Sequence, residues 1–399
     1  MITATLDKKQ FILYAVLFVG FFFPISHLGM LLPYRYFVIA FFLGISYIFF
    51  IKITRQNLLF FLIINISLIV FTIAASLWFK QYSFGIYPNF FLLSVLLLLN
   101  YKDLVCSKYI LYAQLIATWL IITLGVGIII GSTPITQFLI NNYSSGYEDL
   151  LPNMLDARKP VATFGTHSVA SFFFFFLFFL NIKTYQANGK LIYLFTSIIT
   201  LLMLVFIRSN TALAYSVIAF IFLIVTFRKR RASLFIFAGI LILLVLYIGV
   251  FDRTILDVFV EYDVLKILTS NENGFAGRYS GNSLLAPTID YIIHNPFVPL
   301  GLAYSDKLYY TDSGIILYIL RGSIILASTI YVGFYWFLKN SLLNKKQFKF
   351  IFLFFTIFEI GYPILIDFRV LCFIPFVVVY LNYLSTIKNV KSQRLYTGS

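Results

Sequence analysis

Apolar residues fill this chain in long blocks, and polar residues fall between the blocks. The runs at 11–32, 36–51, 58–79, 84–100, 109–130, 161–182, 191–207, 211–227, 232–251, 313–338, 350–366 and 370–387 each approach the length of a bilayer crossing, which takes ~20 residues as a helix. They predict an all-α polytopic membrane protein with twelve transmembrane helices in one integral domain over 1–399. The runs 36–51 and 84–100 are short. No small-residue cleavage site follows the first run, so it reads as a retained span and not a signal peptide. The five phenylalanines at 172–176 read as a lipid-facing or packing feature of a span.

Two polar stretches interrupt the blocks. One, 131–160, is rich in Asn, Ser, Gly and acids; the other, 252–312, is the longest in the chain and holds Asp252, Arg253, Glu261, Asp263, Arg278, Asp290, His294 and Asp312. Inside the longer one, Ile255, Val258, Phe259, Tyr262, Leu265 and Leu268 recur at helical steps. That spacing predicts an amphipathic helix on the membrane surface or on the bundle. Gly274 and Gly277 break it. A second helix is expected from about Ser283 to Ile293, ended by Asn295-Pro296 and Pro299. Helix ends in such a loop point backbone N–H groups at an anion.

Composition supports the membrane reading: of 399 residues 61% are hydrophobic and only 11% charged, against ~25% charged in soluble domains. The net charge of +15 would suggest nucleic acid if it were uniform. It is not uniform. With both termini inside, the inner segments hold 19 Lys and Arg against 2 acids, Asp7 and Asp103, and the outer segments 10 against 12. Arg321 and Glu359 remain within spans. The excess is therefore an orientation signal, N-in and C-in, which places 131–160 and 252–312 outside and argues against a nucleic-acid partner. Cys106 and Cys372 form neither a disulfide nor a metal pattern. No Walker-type loop appears, so the chain does not hydrolyse nucleotide by itself.

Candidate chemistry then concentrates at the outer face. Arg278, between the two expected loop helices, is placed to grip a phosphate through paired hydrogen bonds, or is a solvated loop charge. Arg321 lies nine residues past Asp312, ~13 Å into a straight helix. It either pairs with Glu359 or floors an anionic cavity. Arg208 ends one span beside Ser209-Asn210-Thr211, as a snorkelling anchor or a substrate contact. Arg158 and Lys159 precede another span as anchors or phosphate contacts. His167 and His294 are the candidate bases near the outer face; His27, inside the first span, is weaker. No closely spaced His/Asp/Glu set and no Asp-x-Asp occurs outside, so neither a metal nor another cofactor is expected. The loop Pro33-Tyr34-Arg35 carries no acid, which disfavours a transferase of polyprenyl-monophosphate sugars.

Gly277-Arg278, a helix, Asn295-Pro296, Gly301, then Asp312-Ser313-Gly314 entering a span with Gly322 resembles the O-antigen and capsule repeat-unit polymerases. The Thr211-Ala212-Leu213 start of a span fits them too, as do some twelve spans with two large external loops. The motif-level likeness covers 160–175 and 205–325. It departs at Ala303, where members often carry a second glycine, and at Asn210, where many carry an arginine that here stands at 208. The resemblance implies a metal-independent membrane glycosyltransferase of the bacterial cytoplasmic membrane. It would join undecaprenyl-diphosphate-linked oligosaccharides at the external face, beside a separate flippase and a chain-length regulator. Departure of the diphosphate would be stabilised by external arginines and helix N-termini, and the acceptor proton taken by His294. The implied catalytic set is His294, Arg278 and Arg321; Arg158, His167, Arg208 and Asp312 would bind substrate, with His167 or Asp312 as alternative bases. Two other activities stay open: an O-antigen ligase, and a flippase or exporter of lipid-linked oligosaccharide. Ionisable groups gathered in loops and not at the midplane favour an enzyme over the transporter.

Overall fold

The computed structural model of the chain describes residues 8–24, 48, 50–82, 84–102, 104, 106–144, 150–227, 283–308 and 313–397. The expected span 232–251, nearly all of 36–51, the first loop helix, His27, Arg278 and Asp312 lie outside them. What is described is almost wholly helical. Five helices are long and apolar enough to cross a membrane: Arg55–Ala75, Tyr109–Ile129, His167–Asn188, Gly314–Ser341 and the Phe368–Ile387 part of the last. The chain divides into two compact units, one from residues 1–117 and 284–399, the other from 118–283.

In the first unit the helices are α1 (Lys8–Phe22), α2 (Arg55–Ala75), α3 (Tyr87–Leu96) and the start of α4 (Tyr109–Ile129). After the second unit's segment come α10 (Ala286–His294), α11 (Gly314–Ser341), α12 (Lys345–Gly361) and α13 (Phe368–Thr397). Thr54 caps α2 by accepting from Asn57 N–H. Ser313 caps α11 by accepting from Ile316 N–H. The expected loop helix Ser283–Ile293 is found as α10, with Asn295 at its end. Strand β1 (Gln81–Tyr82) pairs antiparallel with β2 (Ala303–Tyr304), so the short turn after α2 and the far end of the long polar stretch meet.

Helix α11 does not run straight. Gly322 and Ser323 leave the helical region, Ser323 at φ 62°. Ser323 Oγ then accepts from Ile325 N–H at 3.2 Å and caps the second half.

A third buried ionic group, Arg369, escaped the sequence reading because it sits in a short polar gap between two apolar runs. Its Nη1 donates to the carbonyls of Gly20 and Phe21 at 2.8 and 3.0 Å, and its Nη2 to Phe23 at 3.2 Å. These are the carbonyls left over at the end of α1, where a cation also meets the negative end of the helix. Asp367 caps α13 by accepting from Arg369 and Val370 N–H. Arg369→Ala should strip the α1 terminus of its donors and cost about 3 kcal/mol or more. Thermal unfolding in detergent would read the loss.

The second unit holds the rest of α4, then α5 (Thr133–Tyr143), α6 (Leu150–Asp156), α7 (His167–Asn188), α8 (Leu191–Phe206) and α9 (Asn210–Phe227). The stretch 131–160 is thus largely helical, α5 opening with Pro134 in its first turn, where the missing N–H costs nothing. Helix α7 is the buried centre of this unit. Thr166 caps its start and Gly189, at φ 77°, its end. All five phenylalanines 172–176 are buried. Phe164 stacks on Phe173 with centroids 4.2 Å apart, and Phe175 meets Tyr215 of α9 at 5.8 Å. The run packs protein; it does not face lipid.

Candidate functional site

Each unit carries its own cluster of the residues singled out above. In the second unit the cluster forms at the ends of α6 and α8 and the starts of α7 and α9. After α6 the chain turns sharply: Arg158 takes a left-handed φ of 52°, and its N–H and that of Lys159 donate back to Leu155 and Met154. Such a turn closes a helix end, and it usually falls to glycine. The Arg158 side chain lies over Gly131, itself at φ 74°. After α8 the same conformation recurs at Arg208, also at φ 52°, whose N–H donates to Val205. Ser209 Oγ then accepts from Ala212 N–H at 3.1 Å and caps α9.

These two turns bring cations together. Lys159 is half-buried, and its ammonium is held below the ordinary lysine range, first by burial and then by the positive charge of Arg208. Two like charges near enough to disfavour each other favour an anion, and the capped start of α9 follows directly on Arg208. His167 opens α7 immediately after the Thr166 cap and is partly exposed. Lys159 was legible as basic and next to a span. Its partnership with Arg208 was not, because some fifty residues separate them and only the packing of α7 and α8 closes the gap.

In the first unit the cluster is built around the break in α11. Arg321 is fully buried. Its Nη1 donates to the carbonyls of Gly301, at 3.1 Å, and Ala303. In return the carbonyls freed by the break, Leu320 and Arg321, accept from Leu300 and Gly301 N–H at 2.8 and 2.9 Å. Thr72 of α2 completes the clamp: its hydroxyl accepts from Leu302 N–H at 2.8 Å and donates to Leu68. Gly301 sits at φ 54°, so close to Thr72 that a Cβ would overlap it. Thr72 gave no signal in the sequence, being one hydroxyl in an apolar run.

Of the two readings of Arg321, the pair with Glu359 is not formed. The Glu359 carboxylate is buried elsewhere: Oε1 accepts from Leu365 N–H, and Oε2 lies 3.5 Å from the Tyr331 hydroxyl. It also fills the space where Gly314 would carry a Cβ, which explains the glycine at the start of α11. The break in α11 frees the Leu320 and Arg321 carbonyls to receive the N–H groups of the same loop.

His294 ends α10 and is largely exposed. Its Nδ1 lies 3.1 Å from the Asp290 carboxylate and 2.9 Å from the Asp290 carbonyl, one turn back. With the ring proton on Nδ1, Nε2 is left as an acceptor, the form a base requires. Tyr291, on the same helix, donates to the Val298 carbonyl at 2.8 Å and meets Phe79 edge-on at 6.3 Å. Through Tyr291 and Ile292 the helix rests on a core of Ala75, Leu300, Ala303, Leu308 and Leu320. His294 is therefore carried on the element that covers the Arg321 loop. Among the described residues no three His, Cys, Asp or Glu side chains gather where they could hold a metal ion. Comparison with protein-family models, curated proteins and solved structures finds no match to this chain.

Proposed function

We propose that this multi-pass membrane protein polymerises undecaprenyl-diphosphate-linked oligosaccharide repeat units at the external face of the bacterial cytoplasmic membrane, from twelve spans with both termini inside. The observation that supports the reading best is the pair of left-handed turns after α6 and α8, which carry Arg158, Lys159 and Arg208 and bring the charge of Arg208 to act on the Lys159 ammonium. A diphosphate leaving group asks for such a seat. As the bond from the anomeric carbon to the diphosphate oxygen breaks, the electron pair goes to the diphosphate, where fixed positive charge and N–H dipoles stabilise it most. The acceptor hydroxyl forms the new glycosidic bond and gives up its proton. His294, whose Nδ1 is held by Asp290, is the candidate base of the first unit, and His167, which opens α7, that of the second unit with the cations. Arg278 and Asp312, outside the described residues, stay in the proposal as external phosphate and acceptor contacts, with His167 as a substrate contact.

Purified protein in liposomes with undecaprenyl-diphosphate oligosaccharide tests this directly. A ladder of lengthened lipid-linked glycan is the expected result. Movement of the substrate across the bilayer without chain growth would make the protein a flippase. Transfer only onto a lipid A core acceptor would make it a ligase.

A further inference from the structure

Helix α2 is the least covered of the membrane-length helices: Leu62, Ile66, Ile69 and Ile73 all stand exposed on it. Its 21 residues span about 31 Å at ~1.5 Å per residue, close to the ~30 Å of a hydrocarbon core. Lys52 and Arg55 stand at its start. At its other end the exposed stripe continues into Leu77, Trp78 and Phe84, Trp78 being 62% and Phe84 63% exposed. Tyr82 stacks on Phe84 with centroids 5.6 Å apart. Lys80 lies among them. Trp and Tyr with a flanking lysine, at the end of a lipid-length apolar face, are what the headgroup level selects.

This gives a ruler. Thr72 precedes Trp78 by six residues, so it lies ~9 Å nearer the bilayer centre along the helix. Leu302 donates to Thr72, and Gly301 is pressed against it. The loop at 300–303 is therefore at that depth as well, although the sequence places it in an external stretch. Non-helical backbone is tolerated below the headgroups only where protein satisfies it. Here it is satisfied group by group. The N–H groups of Leu300, Gly301, Leu302 and Ala303 donate to Leu320, Arg321, Thr72 and Leu300 respectively. The Gly301 and Ala303 carbonyls accept from Arg321.

We propose that Leu77–Phe84 anchors this unit at the lipid headgroups, and that Leu300–Ala303 is a re-entrant loop held beneath it by Arg321 and Thr72. The β1–β2 pairing ties anchor to loop, so the anchor sets how deep Arg321 sits. The inference rests on the membrane reading alone and is independent of the polymerase proposal.

Tryptophan quenching by brominated phosphatidylcholines in liposomes tests it, since the chain has only three tryptophans. With Trp119→Phe and Trp336→Phe, Trp78 should be quenched most by bromines near the headgroup. A tryptophan placed by Ile73→Trp, with all three native ones changed to Phe, should be quenched most by bromines deeper in the chain. The difference between native protein and Trp78→Phe gives the first reading even if the other two substitutions perturb folding. Strongest quenching of Trp78 by deep bromines would overturn the depth assignment. Quenching by aqueous iodide alone would put the aromatics in water. Protection from both would mean that protein covers them. Either of the last two results removes the anchor.

Discussion

Gly301→Val is expected to leave little folded protein in the membrane, and Arg321→Ala to come close behind it. A valine at 301 must adopt φ 54° and find room for its Cβ where Thr72 already stands. A bulky residue is strained at such a φ, and a Cβ placed inside backbone atoms cannot be relieved by a rotamer change. Arg321→Ala fails differently. It removes the donor to two buried carbonyls, Gly301 and Ala303, beside a helix already broken at Gly322. A buried network cut at its charged member costs about 3–5 kcal/mol, a large share of the roughly 5–15 kcal/mol that holds a domain folded. Yield of monodisperse protein from membranes and its unfolding temperature in detergent measure both. Arg321→Lys separates support from chemistry. A lysine can donate to the same carbonyls, so a variant that folds normally and makes no polymer would show that the guanidinium also acts on substrate.

On the proposed reaction, Arg208→Gln and Lys159→Gln should each lower chain growth about 10²-fold or more, the usual effect of removing one donor from the stabilisation of a developing anion. The lipid-linked single repeat should accumulate. At Lys159 folding should suffer little, because burial and then the charge of Arg208 both disfavour its ammonium. Lys159→Gln should therefore unfold at or above the native temperature. Lys159 also predicts a pH profile. Its ammonium loses its proton at lower pH than an ordinary lysine, so activity should begin to decline earlier on the alkaline side as the anion seat loses a charge. Lys159→Arg keeps the charge at every accessible pH, and should move that decline upward. An unchanged alkaline limb would mean that Lys159 does not meet the departing group.

The legible part of this protein was the part governed by hydropathy. Long apolar runs found α2, α4, α8, α9 and α11 to within a few residues and located α7 and α13 with larger shifts at their ends, because a helix is the cheapest way to hide backbone polar groups from lipid. Turn residues placed α10 with similar accuracy: Asn295 and Pro296 stop it for reasons local to the chain. Hydropathy does not say which apolar face meets lipid and which meets protein. The phenylalanines of α7 and the isoleucines of α2 look alike in sequence, yet one set is buried and the other exposed.

By itself, then, the chain's pattern determined an all-α membrane protein and located its polar stretches and its few costly charges. Only tertiary structure decided what those charges do. Arg321 could have met Glu359, but it donates to the carbonyls of a loop that also bonds to the break at Gly322 and Ser323. Arg369 reaches back to α1, some 350 residues earlier, and Lys159 meets Arg208 only across packed helices. The physical reason is the same in each case. Burial of a charge is a strong local cost that sequence reveals, whereas the partner that offsets it is chosen by packing, which brings together segments far apart in the chain.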